Sequence, residues 1–526
     1  MRKLFHCLTI VLSLFLIFTS SSFAKTINIL VHPFENTGDN EYSWVSAGMT
    51  DTVIADLTRI KNIIVVSNAD RKKILEEMKF IFSGLAEEEK MIKLGKITGA
   101  NVIFTGSYLV SGNRIRVHAR LVNVELGKVE SSTKIDGTLN GIFDLQDKVV
   151  FTLMGETEKI TVADIKPVKI TEQDKKKIEE KPRPSVTAYE WYAKGLERQD
   201  TNPNEALTNF KKALDVDPNY TDALINAGRI TAYPLSLFEE AHGYFERADR
   251  VMKDRNETNT IGYAMLRMSV GSYFSIKGQY NRGLEYCLNA KSKLDNLNLQ
   301  NTVDYYKIMG NIGYAYAGKG QHDRSLEYEL NAKAVLDSLG LQNTAYYAKS
   351  MINIGASFRR KGQHDRGLEY HLNAKAVLDS LGLQNTAYYA TLMANTGLFY
   401  SAKGQVDRGL EYCLKAKSIL AILGLQNTVN YAEVMQSVGV AYWINGQVDR
   451  GLEYCLKAKS IRDRLGLQNT SDYARLLDVL ASLYEAQGKR DMAGRYYRMA
   501  YDTFVQAAYF GTLKDKALNN ATRLGY

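Results

Sequence analysis

A nine-residue stretch that recurs every 42 residues constrains the fold of this chain more than any other feature. Its reference copy runs from Gly362 to Tyr370 and reads Gly-Gln-His-Asp-Arg-Gly-Leu-Glu-Tyr. Close copies begin at Gly278, Gly320, Gly404 and Gly446, and a decayed copy begins at Gly488. A second marker, Leu-Gln-Asn-Thr, keeps the same step. A fixed period of this length is typical of repeat arrays, so this part of the chain is predicted to be a solenoid.

The unit from Asn343 to Gln384 shows how one repeat is predicted to fold. Its first half places apolar residues on one helical face, at Tyr347, Met351, Ile354, Gly355 and Phe358. Its second half carries the predicted inner line of another helix, at Leu368, Leu372, Ala374, Leu378 and Leu381. Gly362 and Gly382 are expected to end the two helices in the left-handed region. Asp365, at the start of the second helix, is expected to cap it and to pair with a neighbouring repeat.

A family resemblance rests on residues both outside and inside this period. One set of residues resembles the tetratricopeptide (TPR) pattern, namely Trp191, Gly195, Ala206, Phe210, Ala213 and Pro218. The 42-residue units are similar to kinesin light chain-type TPR repeats at Leu339-Gly340, Ala348 and Asn353-Ile354-Gly355. The resemblance implies an all-α TPR superhelical solenoid that binds a protein or peptide partner in its concave groove.

Residues 25–155 mix strand and helix signals and predict one α+β domain. Strands are predicted at Thr26–Phe34, Ile63–Val66, Val102–Val110, Ile115–Val124 and Lys128–Ile135. Helices are predicted at Tyr42–Ile60, from Asn68 or Asp70 to Met78, at Ala86–Ile97 and at Ile142–Met154. In the strand that begins at Ile115, apolar and basic residues alternate, so one face of the sheet is predicted to be buried and the other solvated.

Ordered motifs in this domain resemble the CsgG-type periplasmic domain. They are Asp70–Glu77, Phe82–Leu85, Lys93–Lys96, Gly99–Asn101, Thr105–Ser107, Ala119–Val124 and Gly127-Lys128. The opening from Ile29 to Asn36, with Gly48-Met49, is also similar to TolB-like domains. The resemblance implies an envelope protein of a bacterium with an outer membrane. It also implies docking to outer-membrane or peptidoglycan-associated proteins, and a homo-oligomer formed through this domain.

The first 24 residues have the pattern of a secretory signal peptide. Arg2 and Lys3 precede an apolar run from Leu4 to Phe18, and Ser22-Phe23-Ala24 supplies small residues for cleavage. Cleavage predicts a periplasmic protein, and the alternative is an uncleaved membrane anchor. Cys7 lies inside the apolar run, so no lipid anchor is predicted.

The predicted organisation continues after the α+β domain with a charged linker at 156–186, which is expected to be a solvated tether. Two TPR-like repeats follow at 187–257, six 42-residue repeats at 258–508, and a capping helix at 509–526.

Composition and motifs argue against several functions. The net charge of +9 is modest, and the charges are mixed without a basic stripe, which argues against nucleic-acid binding. No catalytic constellation, metal-ligand spacing or phosphate-binding loop is recognisable, so no enzyme activity, cofactor or metal is predicted. Cys287, Cys413 and Cys455 occupy equivalent repeat positions, which are too far apart for disulfides, so they are predicted to be unpaired.

The candidate binding residues are those that the repeats do not share. Differences concentrate on one face of the first helix of each unit, which faces the concave groove in the TPR family. The partner-binding candidates are Met268, Ile352, Arg359, Arg360, Gln436, Trp443, Asp478 and Glu485. Trp443 is expected to be an exposed anchor, with packing against the next repeat as the alternative. The two arginines are expected to be solvated, with contact to an acidic ligand as the alternative.

The resulting prediction is an exported, periplasmic scaffold or adaptor whose groove binds a partner. One alternative is an oligomeric accessory component of an outer-membrane secretion or assembly machine. Another is an enzyme-regulatory subunit. The domain is too short to carry the long membrane hairpins of CsgG, which argues against a secretion pore.

Overall fold

The structure is a computed structural model that describes residues 27–60, 63–66, 87–155, 170–199, 202–232, 237–507, 509 and 511–526. It contains a mixed sheet with helices at the N-terminus and a long run of antiparallel helices after it. This architecture confirms the predicted fold class. The predicted signal peptide and the helix expected to begin at Asn68 or Asp70 lie outside the described residues.

The N-terminal sheet is parallel on one side and antiparallel on the other. Its strands are β1 (Ile27–Val31), β2 (Glu35–Asn36), β3 (Ile63–Val66), β4 (Val102–Ser111), β5 (Arg114–Asn123) and β6 (Lys128–Thr138). The order is β3-β1-β4-β5-β6, β2 pairs with β4, and β4, β5 and β6 form the antiparallel part. The alternation in β5 is as predicted, because Ile115 and Val117 are buried while Arg114 and Arg116 are exposed.

Helices cover this sheet on both faces. They are α1 (Trp44–Leu57), α2 (Glu87–Thr98) and α3 (Ile142–Gly155). Apolar residues of α1 and α3 form one core with Phe104 and Val117. Residues of α2 form a second core with Leu30 and Ile103, on the opposite face.

The second half of the predicted linker is not a solvated tether. Residues 170–186 contain helix α4 (Glu172–Glu179), which begins with a capping box at Thr171. Ile178 is fully buried in the N-terminal core. Lys181 forms an ion pair with the buried Asp56. This part of the chain is therefore packed onto the N-terminal domain, and residues 156–169 lie outside the described ranges.

The remaining helices form the array. They are α5 (Val186–Arg198), α6 (Pro203–Val216), α7 (Thr221–Ala232), α8 (Phe238–Asp254), α9 (Ile261–Ile276), α10 (Tyr280–Asn296), α11 (Val303–Gly318), α12 (His322–Ser338), α13 (Ala345–Arg360), α14 (His364–Ser380), α15 (Ala387–Ala402), α16 (Val406–Ile422), α17 (Val429–Ile444), α18 (Val448–Arg464), α19 (Ser471–Ala486), α20 (Arg490–Gln506) and α21 (Thr512–Arg523). We call the odd-numbered helices from α9 to α19 helices A, and the even-numbered helices from α10 to α20 helices B.

Each pair of helices A and B packs through a small residue, as predicted. A Cβ atom on Gly355 in α13 would overlap the ring of His371 in α14, so only glycine lets the two helices approach this closely. Phe358 stacks on Tyr370 with ring centroids 5.5 Å apart. Gly362 ends α13 with φ of 73°. Gly382 follows α14 with φ of 72°.

Two details of the predicted repeat are wrong. Leu372 does not line the inner side of α14, since its side chain is 41% exposed. Asp365 does not cap α14, because Gln363 is the N-cap residue and makes no side-chain capping bond. Asp365 instead pairs with Lys403 of the next repeat at 2.5 Å, so the expected inter-repeat pairing is present.

The array winds far enough to contact itself. The hydroxyl groups of Tyr280 and Ser471 lie 3.3 Å apart, although 191 residues separate them in sequence. A Cβ atom on Gly320 would lie 2.6 Å from the backbone nitrogen of Gly511, so a second contact joins the next turn to the C-terminal segment. The helices therefore complete one superhelical turn around a hollow.

The N-terminal domain packs against the array at two places. Tyr189 of α5 accepts a hydrogen bond from the Gln146 side chain at 2.7 Å and packs edge-on against Trp44. A Cβ atom on Gly99 would lie 2.7 Å from Cγ2 of Thr344, which begins α13. One side of the domain is therefore occupied by the chain's own array. No helix among the described ranges is both long and apolar enough to cross a membrane.

Candidate functional site

The inner face of the array is the side of helices A that looks into the hollow of the superhelix. It is defined by Tyr314, Arg359, Arg360, Glu433, Gln436, Ile444, Asp472, Arg475 and Asp478. Arg359 lies in α13 and Arg475 lies in α19, three repeats further along the array, so this face extends over several repeats.

Four of the predicted binding residues lie on this face with solvent access. Arg359, Gln436 and Asp478 are half-buried, and Arg360 is exposed. One carboxylate oxygen of Asp478 is buried without a hydrogen-bond partner in the described part of the chain. Both members of the double arginine are thus held inside the superhelix.

The other predicted residues are occupied by packing or pairing. Ile352 is 5% exposed and belongs to a core that also includes residues of α2. Met268 is half-buried against a core that includes Ile64 of β3. Glu485 accepts a bond from Arg523 of α21 at 2.7 Å. These three positions are therefore used within the chain.

Trp443 is not exposed in the way that the sequence predicted. It is half-buried and packs against the core of the last repeats, which includes Met435 and Leu452. The alternative interpretation, a residue packed against its neighbouring repeats, describes this placement. Trp443 occupies the repeat position of Arg359, and part of its ring stays open to solvent.

The structure also reveals a buried cation in a helix B that sequence reasoning missed. Arg462 near the end of α18 is only 3% exposed, and its Nε atom has no partner among the described residues. The four preceding repeats have leucine at the equivalent position, at Leu294, Leu336, Leu378 and Leu420. That departure from the repeat is the signal that could have identified Arg462.

Charges on the inner face shift one another's ionisation. The pKa of Glu433 is raised, because burial outweighs the attraction of Arg462. The pKa of Asp472 is lowered, because Arg475, Arg462 and Arg360 together outweigh the opposing effect of burial. Arg475 contacts Asp472 at 2.7 Å. Burial, followed by repulsion from Arg360 and Arg475, lowers the pKa of Arg359 to about 10, so it remains charged at neutral pH.

Other buried titratable groups lie between helices rather than on the inner face. Glu329 and His371 occupy the repeat position that is filled elsewhere by Cys287, Cys413 and Cys455. Burial raises the pKa of Glu329 to about 7. Burial lowers the pKa of His371 to about 3. The three cysteines are buried and free, which confirms the prediction that they are unpaired.

Comparison with known families identifies the N-terminal unit. Residues 17–110 match the family model described as "Curli production assembly/transport component CsgG". The chain carries a CsgG domain at its N-terminus. The helix pairs that follow the CsgG domain are TPR-like repeats. The match covers only the first part of the chain, and this domain family is linked to components of the cell envelope.

A curated relative also matches part of the chain. "Putative adenylate cyclase 3" from Rhizobium meliloti (strain 1021) is 23% identical over 201 residues, which are 37% of this chain and 31% of the relative. The matched segment thus spans about a third of that relative's length.

Solved structures with similar helical arrays were also found. A Rap protein complexed with competence and sporulation factor is 13% identical, with a TM-score of 0.47, and the match covers 66% of this chain and 92% of that one. A putative kinesin light chain with nearly identical TPR-like repeats from Podosopora anserina is 17% identical, with a TM-score of 0.29, and the match covers 38% and 94%.

Proposed function

We propose that the protein is an exported, periplasmic scaffold or adaptor that binds a protein or peptide partner on the inner face of its TPR-like array. In this proposal the CsgG domain docks to envelope components, such as outer-membrane or peptidoglycan-associated proteins. The CsgG family match supports the location. The array supports partner binding, because solenoids present extended concave surfaces.

The observation that supports the proposal is that the repeats share their turns and helix contacts but differ on the inner face. The turns and the glycine contacts between helices A and B are nearly the same in each full repeat. The inner face instead changes from Tyr314 to Leu398 to Val440 at one repeat position, and from Gly310 to Gln436 to Asp478 at another. A surface that differs along its length suits an elongated ligand with a defined sequence.

The exposed face of the CsgG domain's sheet is the docking surface that this proposal assigns. On the strands β4, β5 and β6, an outward-facing patch contains Leu109, Arg116, His118, Lys134 and Asp136, all exposed. Arg116 pairs with Asp136 at 2.6 Å across β5 and β6. This patch lies away from Gly99, where the domain meets the array.

Crosslinking and affinity capture of the tagged full chain from fractionated cells tests the proposal. We expect the chain and its partner in the periplasmic fraction. The double variant Arg360→Ala/Gln436→Ala should lose the partner at an unchanged melting temperature. The matched control Leu330→Ala/Leu372→Ala changes two exposed leucines of helices B and should retain it. Equal capture by both variants, or a cytoplasmic chain, would contradict the proposal.

The family match also supports a second candidate, an oligomeric accessory component of an envelope machine. Strand β6 lies at the edge of the sheet. An edge strand of a sheet can add a strand from another copy by backbone pairing. Light scattering of the full chain distinguishes the two candidates. A multiple of the 59.1 kDa chain mass supports the assembly, and the mass of a single chain at high concentration opposes it.

A further inference from the structure

A polar cavity of about 320 Å³ lies between helices α8, α9 and α10. Its charged and polar lining consists of His242, Glu246, Asp249, Arg250, Lys253 and Arg267. Its volume is in the range of sites that bind small organic molecules. The residues that define the inner face are not part of this lining, so the cavity is a separate place in the array.

The sequence departs from the repeat at the residues that border this cavity. Arg267 stands at a helix A position that is buried and apolar in the later repeats, at Met309, Met351, Met393, Met435 and Leu477. His242 and Glu246 stand at two helix B positions that hold leucine in α10, α12, α14, α16 and α18. Three apolar positions of the repeat are therefore polar here, and all three border the cavity.

The side chain of Arg267 is fixed in this cavity by contacts with the chain. Its Nη1 donates to Asp249 at 3.2 Å, and its guanidinium lies over the ring of Tyr286, 4.3 Å from the centroid. Asp249 also accepts from the hydroxyl of Tyr263 at 2.7 Å and pairs with Lys253 at 2.6 Å. The guanidinium is therefore preorganised, so a ligand would not have to order it.

Two polar atoms of the lining have no partner within the described ranges. They are Nε of Arg267 and Nδ1 of His242, and both are buried. The other ring nitrogen of His242, Nε2, lies 3.1 Å from Glu246. A buried polar atom without a partner costs free energy, so such atoms are normally satisfied. The side chain of Arg267 is 18% exposed and borders the cavity, so a ligand there can reach it.

The charges of the lining favour a monoanion. Arg250, Lys253 and Arg267 are cationic, whereas Glu246 and Asp249 are anionic, which leaves an excess of one positive charge. A phosphate dianion would exceed this charge and would be repelled by the two carboxylates. A carboxylate carries a single negative charge and matches the planar guanidinium group in shape.

We propose that this cavity binds the carboxylate of a small organic acid with an apolar body. The carboxylate accepts a hydrogen bond from Nε of Arg267. The apolar body contacts Phe245 and Val270, which form an apolar wall of the same cavity. A free small acid and the C-terminal carboxylate of a short peptide share this chemistry. The site is separate from the inner face and does not depend on the proposed function.

Titration calorimetry of the full chain with benzoate, and with benzamide as its neutral analogue, tests this inference. We expect benzoate to bind at least tenfold more tightly, because benzamide cannot form the charge-assisted bond to arginine. Arg267→Met restores the residue of the later repeats and should weaken benzoate binding at least tenfold. Arg267→Lys keeps the charge without the planar fork and should weaken it less.

The matched control is Arg247→Asn, which should bind benzoate normally. It removes the same charge from α8 outside the lining, and it supplies the residue found at Asn289 in the next repeat. A loss in Arg247→Asn as large as that in Arg267→Met would show that net charge alone attracts the acid, and would overturn the inference.

A second pair of ligands, alanyl-phenylalanine and its C-terminal amide, distinguishes the two sources of the carboxylate. Tighter binding of the dipeptide acid than of benzoate assigns the site to a peptide C-terminus, and the reverse assigns it to a free small acid. Equal binding of benzoate and benzamide, equal binding by Arg267→Met, or no binding of either acid would overturn the inference. Inorganic phosphate that binds more tightly than both acids would overturn the choice of a monoanion.

Discussion

Two surfaces of the array differ in how much their residues vary between repeats. One is the seam, where helices A and B of a repeat pack together, and the other is the inner face. At the seam, the glycines Gly271, Gly313, Gly355, Gly397 and Gly439 recur, and each faces a buried side chain of helix B. On the inner face, the repeat position that is half-open at Gly310, Gln436 and Asp478 holds glycine, glutamine and aspartate. The seam tolerates few substitutions because protein atoms fill the space between the helices, whereas the inner face opens onto the hollow.

This difference separates stability from binding. A residue at the seam must fit a space that protein atoms already fill, so its changes alter the free energy of unfolding. A residue on the inner face has room, so its changes alter what the hollow can hold. Glu329 is the informative exception at the seam, because a carboxyl occupies a position where other repeats have cysteine or histidine.

The largest expected effect is on the pH dependence of the free energy of unfolding, when Glu329 is replaced with cysteine. In the unfolded chain this carboxyl loses its proton near pH 4.5, but in the folded chain it does so only near pH 7. Between these values unfolding releases a proton, so rising pH favours the unfolded state. The contribution of Glu329 to the free energy of unfolding should therefore fall by on the order of 2 to 3 kcal/mol as the pH rises from 5 to 8.

Urea unfolding of the wild type and Glu329→Cys at both pH values measures this effect. His371 also titrates in the unfolded chain, but it is present in both proteins, so their difference isolates Glu329. Cysteine is a matched replacement because it fills the same position in three other repeats. An identical pH dependence in the two proteins would show that Glu329 is not held in its protonated form.

Two glycine-to-alanine changes in neighbouring helices A compare the seam with the inner face directly. Gly355→Ala would force a methyl group into His371 and to within 2.9 Å of the carbonyl oxygen of Gly367, so it should cost about 2 kcal/mol. Gly310→Ala meets no described atom within 4 Å and should stabilise the helix by about 0.5 to 1 kcal/mol. Thermal and urea unfolding provide the measurement. Equal effects of the two changes would remove the distinction between the two surfaces.

Much of the fold could be predicted from the sequence because its signals are local and repeated. The period located each helix pair, Gly362 and Gly382 marked where helices end, and the alternation from Arg114 identified β5. Thr386 caps α15 through its side chain, and threonine just before a helix is a common cap residue. These features depend on residues close together in the chain, where spacing and propensity are sufficient.

The rest depends on contacts between distant residues. The closure that brings Tyr280 to Ser471 results from small rotations accumulated over several repeats, which no single unit encodes. The docking of α4 depends on Asp56, more than a hundred residues away, as the partner of Lys181. Arg462 was missed because helix B was treated as packing alone. Trp443 was predicted to be exposed because the register does not show how the last repeats pack around it.

The inner face is tested most directly by placing a photo-crosslinking amino acid there in the full chain in cells. We would place it at Tyr314 or at the equivalent Leu398, and for comparison at Leu330 or the equivalent Leu372 on helices B. If the inner face binds the partner, both inner positions should crosslink the same segment of one protein. Crosslinks that form mainly from Leu330 and Leu372, with none from Tyr314 or Leu398, would contradict partner binding on the inner face.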